Sequence, residues 1–138
     1  MHGKQKFFIC EHCGNLIGLI EDKGVPMVCC GKKMTELVPN TVEASAEKHL
    51  PKVSQEKCCK CDCGCDCNYL TVEVGSIPHP MEEAHKITFV YVETVRGGQR
   101  KCLKVGEKPS STFCLSDDKP VAVYAYCNLH GLWKTEVK

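Results

Sequence analysis

Four cysteines near the N-terminus, Cys10-x-x-Cys13 and the vicinal pair Cys29-Cys30, limit what this end of the chain can fold into. The apolar pieces around them are short: Lys6 to Ile9, Leu16 to Ile20 and Val25 to Val28. A module of about 40 residues cannot bury enough apolar surface to fold unaided, and a metal commonly supplies the missing stability. Cys10-x-x-Cys13 is a chelating knuckle, with Gly14 behind it to allow the tight turn that aims backbone N–H groups at sulfur. Neighbouring side chains of an extended chain point to opposite faces. Holding one ion with both Cys29 and Cys30 therefore requires a local backbone distortion. By ligand type alone four thiolates suit zinc and iron equally, so a structural zinc ribbon stands as the plain alternative. His12, inside the knuckle, is expected to be exposed and uninvolved. Pro39-Asn40-Thr41 reads as turn and linker, closing a first domain at residues 1–38.

The chain carries thirteen cysteines in 138 residues, an odd number that excludes complete pairing within the chain. Behind the charged start, Met1 to Lys6, Cys10-Glu11-His12-Cys13 interrupts before any apolar export segment develops. A cytoplasmic, reducing location is expected, and there clustered cysteines mean metal more often than disulfides. A formal net charge of +1 gives no basic excess, which argues against a nucleic-acid partner. Apolar runs such as Phe89-Val90-Tyr91-Val92 are far too short to span a membrane.

Residues 41–138 form the second domain and are rich in strand-like sequence. Tyr69 to Val74, Lys86 to Val95, Gln99 to Val105, Val121 to Tyr126 and Leu132 to Val137 are β-branched or aromatic runs. Gly75-Ser76, Gly97-Gly98, Ser110-Ser111 and Asp117-Asp118 between them carry turn chemistry. Val95 to Arg100 reads as a hairpin. This spacing predicts an antiparallel β-sandwich or small barrel, with no long helix. An apolar-free stretch at 58–67, Cys58-Cys59-Lys60-Cys61-Asp62-Cys63-Gly64-Cys65-Asp66-Cys67, should be a loop between two strands.

A second ligand set lies in this domain: His49, His79, His85, Cys127 and His130. One thiolate and four imidazoles exceed the tetrahedral demand of structural zinc and suit iron with a position left open. An open position beside a thiolate implies chemistry at the metal. The spacing fits loops better than regular structure. His79 and His85 would lie about 240° apart on a helix, and Pro78 and Pro80 exclude a strand or helix interior. Cys127 and His130, with Gly131 following, can close on one ion from a turn.

The segments Glu47-Lys48-His49-Leu50-Pro51, Gly75 to His85 and Tyr126 to Trp133 resemble the catalytic domain of superoxide reductase. The spacing of Cys10, Cys13, Cys29 and Cys30 resembles desulforedoxin, a small four-cysteine iron domain. Together nearly the whole chain is similar to desulfoferrodoxin, the two-iron form of the enzyme. The resemblance implies a mainly β protein, with a small desulforedoxin/rubredoxin-like metal domain followed by an immunoglobulin-like antiparallel β-sandwich. It implies two iron ions per chain. One is held by Cys10, Cys13, Cys29 and Cys30; the other has His49, His79, His85 and His130 in a plane and Cys127 as axial thiolate. The implied activity is one-electron reduction of superoxide to hydrogen peroxide, without release of dioxygen. It further implies Lys48 beside the open position attracting the anion, Glu47 occupying that position once iron is ferric, and protons from water. A rubredoxin-like electron donor and a homodimer are implied as well.

The cysteine-rich loop departs from the family pattern. Its repeated C-x-C resembles metallothionein over a short stretch, and folding back at Gly64 would face Cys63 with Cys65 and Cys61 with Cys67. An additional soft metal at this loop is one expectation; stray disulfides or an idle reduced tip are the alternatives. Cys102 and Cys114, in strand-like sequence, are expected to be small buried hydrophobes. Two other function classes compete with the enzyme. An electron carrier working through the four-cysteine site would leave the histidine set unexplained. A metal-storage protein would be built around the loop.

Overall fold

The computed structural model describes residues 4–58 and 67–137, and the chain divides into two units, Met1–Val38 and Pro39–Lys138. The expected soft-metal site at Cys58 to Cys67 lies, but for the backbone of its two end residues, outside the described residues.

In the first unit, β1 (Lys6–Ile9), β2 (Leu16–Leu19) and β5 (Thr35–Glu36) form a three-stranded sheet in the order β2-β1-β5. A separate two-stranded ribbon pairs β3 (Val28–Cys29) with β4 (Lys32–Lys33). Its buried apolar side chains are Phe7, Cys10 and Met34, while Ile20, Val25 and Val28 stand exposed. Burying a side chain of this kind stabilises by roughly 1.5–3 kcal/mol. That is too little to order some forty residues, so the sequence-based case for a metal staple rests here on the observed core.

The second unit opens with one helical turn, α1 (Ala46–His49), and continues as seven strands: β6 (Pro51–Cys58), β7 (Cys67–Val74), β8 (Ile87–Thr94), β9 (Gly97–Cys102), β10 (Ser110–Ser116), β11 (Pro120–Cys127) and β12 (Gly131–Glu136). They form two antiparallel sheets, β10-β7-β6 and β12-β11-β8-β9, an immunoglobulin-like sandwich. Alternation decides which side chains enter the core. Val90 and Val92 of β8, Val123 and Ala125 of β11, Leu70 and Val72 of β7, and Phe113 and Leu115 of β10 fill the space between the sheets. At one lateral margin Gln99 donates to the Cys114 carbonyl at 2.7 Å and Lys101 to that of Thr112. At the other, the Thr135 hydroxyl donates to the Pro51 carbonyl at 2.7 Å.

Several expectations need correction. Ser110-Ser111 is not a turn but the start of β10, where both residues pair with Glu73 and Val72 of β7. The cross-strand ladder overrode the local turn preference of serine, because Phe113 and Leu115 further along must reach the core. Cys102 and Cys114 are exposed, not buried. Cys114 lies one step from both Phe113 and Leu115, which face the core, and so points outward, while Cys102 belongs to β9, a strand exposed along its whole length. The strand at Pro51–Cys58 was absent from the sequence reading, since Lys52, Gln55, Glu56 and Lys57 give it little apolar content.

Candidate metal centres

The first centre is built on two turns. β1 ends at Cys10, where the Gly14 N–H donates to the Cys10 carbonyl at 2.8 Å and the Cys10 N–H donates to the Asn15 carbonyl at 2.8 Å. Gly14 has a φ of +84°, the left-handed conformation this knuckle requires. The vicinal pair sits where β3 turns into β4: Cys29 pairs with Lys32, leaving Cys30 and Gly31 as the turn. Their φ values are 54° and 72°, the signature of a tight type I′ turn. A non-glycine residue in this conformation is the distortion the spacing demanded, and it brings two adjacent sulfurs to one side. Cys13 and Cys29 sulfurs are 3.6 Å apart, those of Cys29 and Cys30 3.9 Å, and all four Sγ atoms lie within 4.8 Å of one another.

Four thiols this close cannot all ionise without a cation between them. Backbone N–H groups of Cys13 and His12 hold the Cys10 thiol down to about 6, while Cys30, facing the sulfurs of Cys13 and Cys10, is pushed up to about 12. Cys29 is raised for the same reason. A divalent ion would relieve this conflict, so the donor set fits one. His12 is exposed, as its place in the knuckle suggested, but its main-chain N–H contributes to the thiolate field.

The second centre gathers at one end of the sandwich from three separate pieces of chain. His49 ends α1, His79 and His85 lie on the loop between β7 and β8, and Cys127 and His130 flank the turn joining β11 to β12. His49, His79, His85 and His130 form a closed ring. Neighbouring imidazole centroids are 4.7, 4.7, 5.0 and 4.9 Å apart, and the His49–His85 diagonal is 6.4 Å. Each ring stands at 74° to 87° to its neighbours. Ligand atoms of His49, His85, Cys127 and His130 all lie within 4.8 Å of one another, and His79 joins through its Nε2, 3.3 Å from His49 Nε2.

Hydrogen bonds fix what the inward-facing nitrogens carry. His49 Nδ1 is 2.6 Å from the Ser45 carbonyl and His79 Nδ1 is 2.7 Å from the Pro80 carbonyl. A carbonyl only accepts, so both Nδ1 atoms carry the proton and both Nε2 atoms present lone pairs. Two lone pairs at 3.3 Å cannot bond to each other. His85 Nε2 is buried with no partner at all. Burial holds His49 below its usual range and His79 down to about 4, so both rings stay neutral, as metal ligands must. Neutral imidazoles with inward-facing lone pairs beside a buried thiol are a donor set that fits a metal ion.

Cys127 is fully buried at the base, whereas His85 and His130 are partly exposed and Lys48 and Glu47 are exposed. The site is therefore closed at Cys127 and reached by solvent at His85 and His130. Trp133 stacks on the His49 ring, with centroids 4.9 Å apart, and its indole N–H donates to the His130 carbonyl at 3.1 Å. α1 is held by the turn that follows β7. The Ile77 N–H and the Ser76 hydroxyl both donate to the Glu47 carbonyl, at 3.1 and 3.2 Å. Gly75, with a φ of +86°, makes this possible, because a Cβ there would lie 2.7 Å from the Lys48 carbonyl oxygen. Lys48 has no carboxylate partner among the described residues, whereas the nearby Lys86 is paired with Glu83 at 3.6 Å.

Sequence reasoning missed two residues that shape this centre, Trp133 and Asn128. Trp133 carries no metal-binding chemistry of its own, and its stacking on His49 follows only from the pairing of β11 with β12. Asn128 binds the main chain on both sides of His85, a function visible only once the two segments are adjacent.

The family model for desulfoferrodoxin matches residues 41–136. Desulfoferrodoxin of Syntrophotalea carbinolica is 38% identical over 138 residues, covering 99% of each chain. Desulfoferrodoxin of Nitratidesulfovibrio vulgaris is 36% identical over 136 residues, again covering 99% of each. Among solved structures, the superoxide reductase from Treponema pallidum superposes with a TM-score of 0.76 at 32% identity, covering 97% of this chain and 100% of that one. With a family model matching residues 41–136 and relatives that align along almost its full length, the chain belongs to the desulfoferrodoxin family.

Proposed function

We propose that this protein is a superoxide reductase, reducing superoxide to hydrogen peroxide in defence against reactive oxygen species. The observation that carries the reading is the closed ring of four imidazoles beside the buried Cys127, with His85 Nε2 left without a partner. Iron fits both centres: one ion between Cys10, Cys13, Cys29 and Cys30, the other between His49, His79, His85, His130 and Cys127. Ferrous iron held at the second centre would supply the one electron that, with two protons, turns superoxide into hydrogen peroxide. The chain's own groups do the rest. The Ser45 and Pro80 carbonyls hold His49 and His79 in the tautomer that binds metal. The Cys127 thiolate donates electron density, which favours giving the electron away. Lys48, exposed and without an ion-pair partner among the described residues, draws the anion towards the open side. Glu47, its exposed neighbour, takes the vacated side after turnover. Protons come from water on that side.

The domain assignment, 1–38 as the four-cysteine iron domain and 41–138 as the catalytic domain, is supported by the two units and their separate ligand clusters. Exposure of Cys13 and Cys30 supports electron entry at the first centre from a small carrier of the rubredoxin kind. Exposed Ile20, Val25 and Val28 support a homodimer. Metal-spaced free thiols support a cytoplasmic location. No helix among the described residues is long and apolar enough to cross a membrane.

The test mixes the iron-loaded, reduced protein with superoxide under excess reductant and measures peroxide and dioxygen together. Reduction yields one peroxide per superoxide and no dioxygen. Dioxygen evolved in proportion to superoxide consumed would make the protein a dismutase and overturn the proposal.

A further inference from the structure

The geometry points to Asn128 as a positioning residue that straps the His85 loop to the Cys127–His130 turn and thereby sets one corner of the imidazole ring. Its side-chain oxygen accepts from the Lys86 N–H at 2.8 Å, and its side-chain nitrogen donates to the Ala84 carbonyl at 3.0 Å. Its own main-chain N–H donates to the Lys86 carbonyl at 3.1 Å. One residue thus grips the peptide groups immediately before and after His85. The grip matters because of how the four imidazoles are held. His49 and His79 are each fixed through Nδ1 by a carbonyl, and His130 follows directly from the turn. Among the described residues no hydrogen bond reaches either nitrogen of the His85 ring, so the ring depends on its main chain for its aim. That main chain is closed on itself, with Glu82 and His85 exchanging hydrogen bonds at 2.9 and 3.1 Å. Such a closed loop moves as one piece, and the Asn128 carboxamide ties it to the segment carrying the thiolate. An amide serves both ends because it offers a donor and an acceptor a fixed distance apart.

The inference rests on the proposed metal centre and not on its reaction, so iron retention tests the one and superoxide turnover the other. The full iron-loaded chain is compared with Asn128→Ala, Asn128→Asp and Leu129→Ala by release of ferrous iron to a chelator and by the paramagnetic resonance of the oxidised centre. Asn128→Ala should release iron from the histidine–cysteine centre on the order of tenfold faster, the scale of lost supporting hydrogen bonds, and broaden its signal. The four-cysteine signal should be unchanged. Asn128→Asp keeps the acceptor for Lys86 but sets a carboxylate oxygen against the Ala84 carbonyl, so it should behave like alanine. Leu129→Ala, in the same turn and 58% exposed, should behave as wild type. Wild-type release and signal in Asn128→Ala overturn the proposal, and an aspartate variant equal to wild type overturns its two-ended form. A measurement on the unmodified chain guards against variants that fail to fold. With zinc in place of iron, the Lys86 N–H should exchange slowly with solvent, and unprotected exchange overturns the strap.

Discussion

At the scale of single residues, the centre in the second unit depends on one sulfur and one unpaired cation. Cys127 lies in β11, opposite Gly131 and Ile87, and is wholly buried. Cys127→Ser keeps the side-chain volume but leaves a hydroxyl in an apolar surrounding, at a cost of roughly 1–3 kcal/mol. The sandwich core stays intact, so the variant is expected to fold and to keep the spectrum of the four-cysteine centre. Superoxide reduction should fall by on the order of 10²-fold or more, since losing a ligand exceeds losing its supporting partners; turnover near wild type removes Cys127 from the mechanism. Lys48 acts at longer range. Lys48→Ala should lower the bimolecular rate with superoxide by up to about tenfold while iron content is retained. Because ions screen this attraction, the wild-type rate should decline with ionic strength and the alanine rate should decline less. Equal slopes in stopped-flow measurements at increasing salt would show that Lys48 does not steer the anion.

At the scale of elements, the ring of imidazoles is assembled from a helical turn, a loop and a hairpin turn that share no hydrophobic periodicity. Gly75 is the joint between two of them. Gly75→Ala would impose a left-handed conformation on a residue with a Cβ, costing about 1–2 kcal/mol, and would press that Cβ against the Lys48 carbonyl oxygen. Only main-chain atoms could give way, so α1 should shift with His49 at its end. Thermal denaturation should show the loss of stability, and chelator competition should show weaker iron binding at this centre alone; unchanged iron retention would mean α1 does not rely on this turn. How much of this could be read from sequence follows from the same elements. The five ligands of the second centre and four of the first carry their own chemistry, so composition and spacing disclosed them before any contact was known. The strands β8, β11 and β12 were legible because they are β-branched and aromatic runs, such as Phe89 to Val92 and Val121 to Tyr126, set between residues with turn chemistry. β6 and the start of β10 were not, because Lys52, Gln55, Ser110 and Ser111 are placed by pairing across the sheet and not by local preference. Cys102 and Cys114 were misplaced for a related reason. Residue type suggests burial, but the phase of β10 turns Cys114 outward and β9, which carries Cys102, is exposed throughout. Asn128 stayed hidden because its partners, Ala84 and Lys86, lie more than forty residues away in the chain.

At the scale of the whole molecule, the two units differ in what holds them together, and removing metal should separate them. Among its described residues the first unit buries only Phe7, Cys10 and Met34, and one of those three is itself a ligand. The second has a continuous apolar core, from Leu70 to Ala125, in which Cys127 alone is also a ligand among the described residues. Chelation under reducing conditions is therefore expected to unfold the first unit and leave the second with a cooperative transition. Acid should then act on the metal-free second unit through its histidines. Burial holds His79 neutral down to about 4, against an ordinary value of 6.5 in the unfolded chain. Between those two values the unfolded state binds the extra proton and the folded state does not, so the free energy of unfolding declines as pH falls through this window and levels off below it. His49, lowered for the same reason, acts in the same direction. Urea denaturation of the metal-free protein at a series of pH values should show the midpoint dropping from pH 6.5 towards 4. The drop should shrink in His79→Gln, which keeps a polar side chain but cannot take up the proton. A midpoint that stays level across this range would show that the imidazole ring is already open to water once the metal is gone, and that the ion, more than the fold, keeps the four rings together.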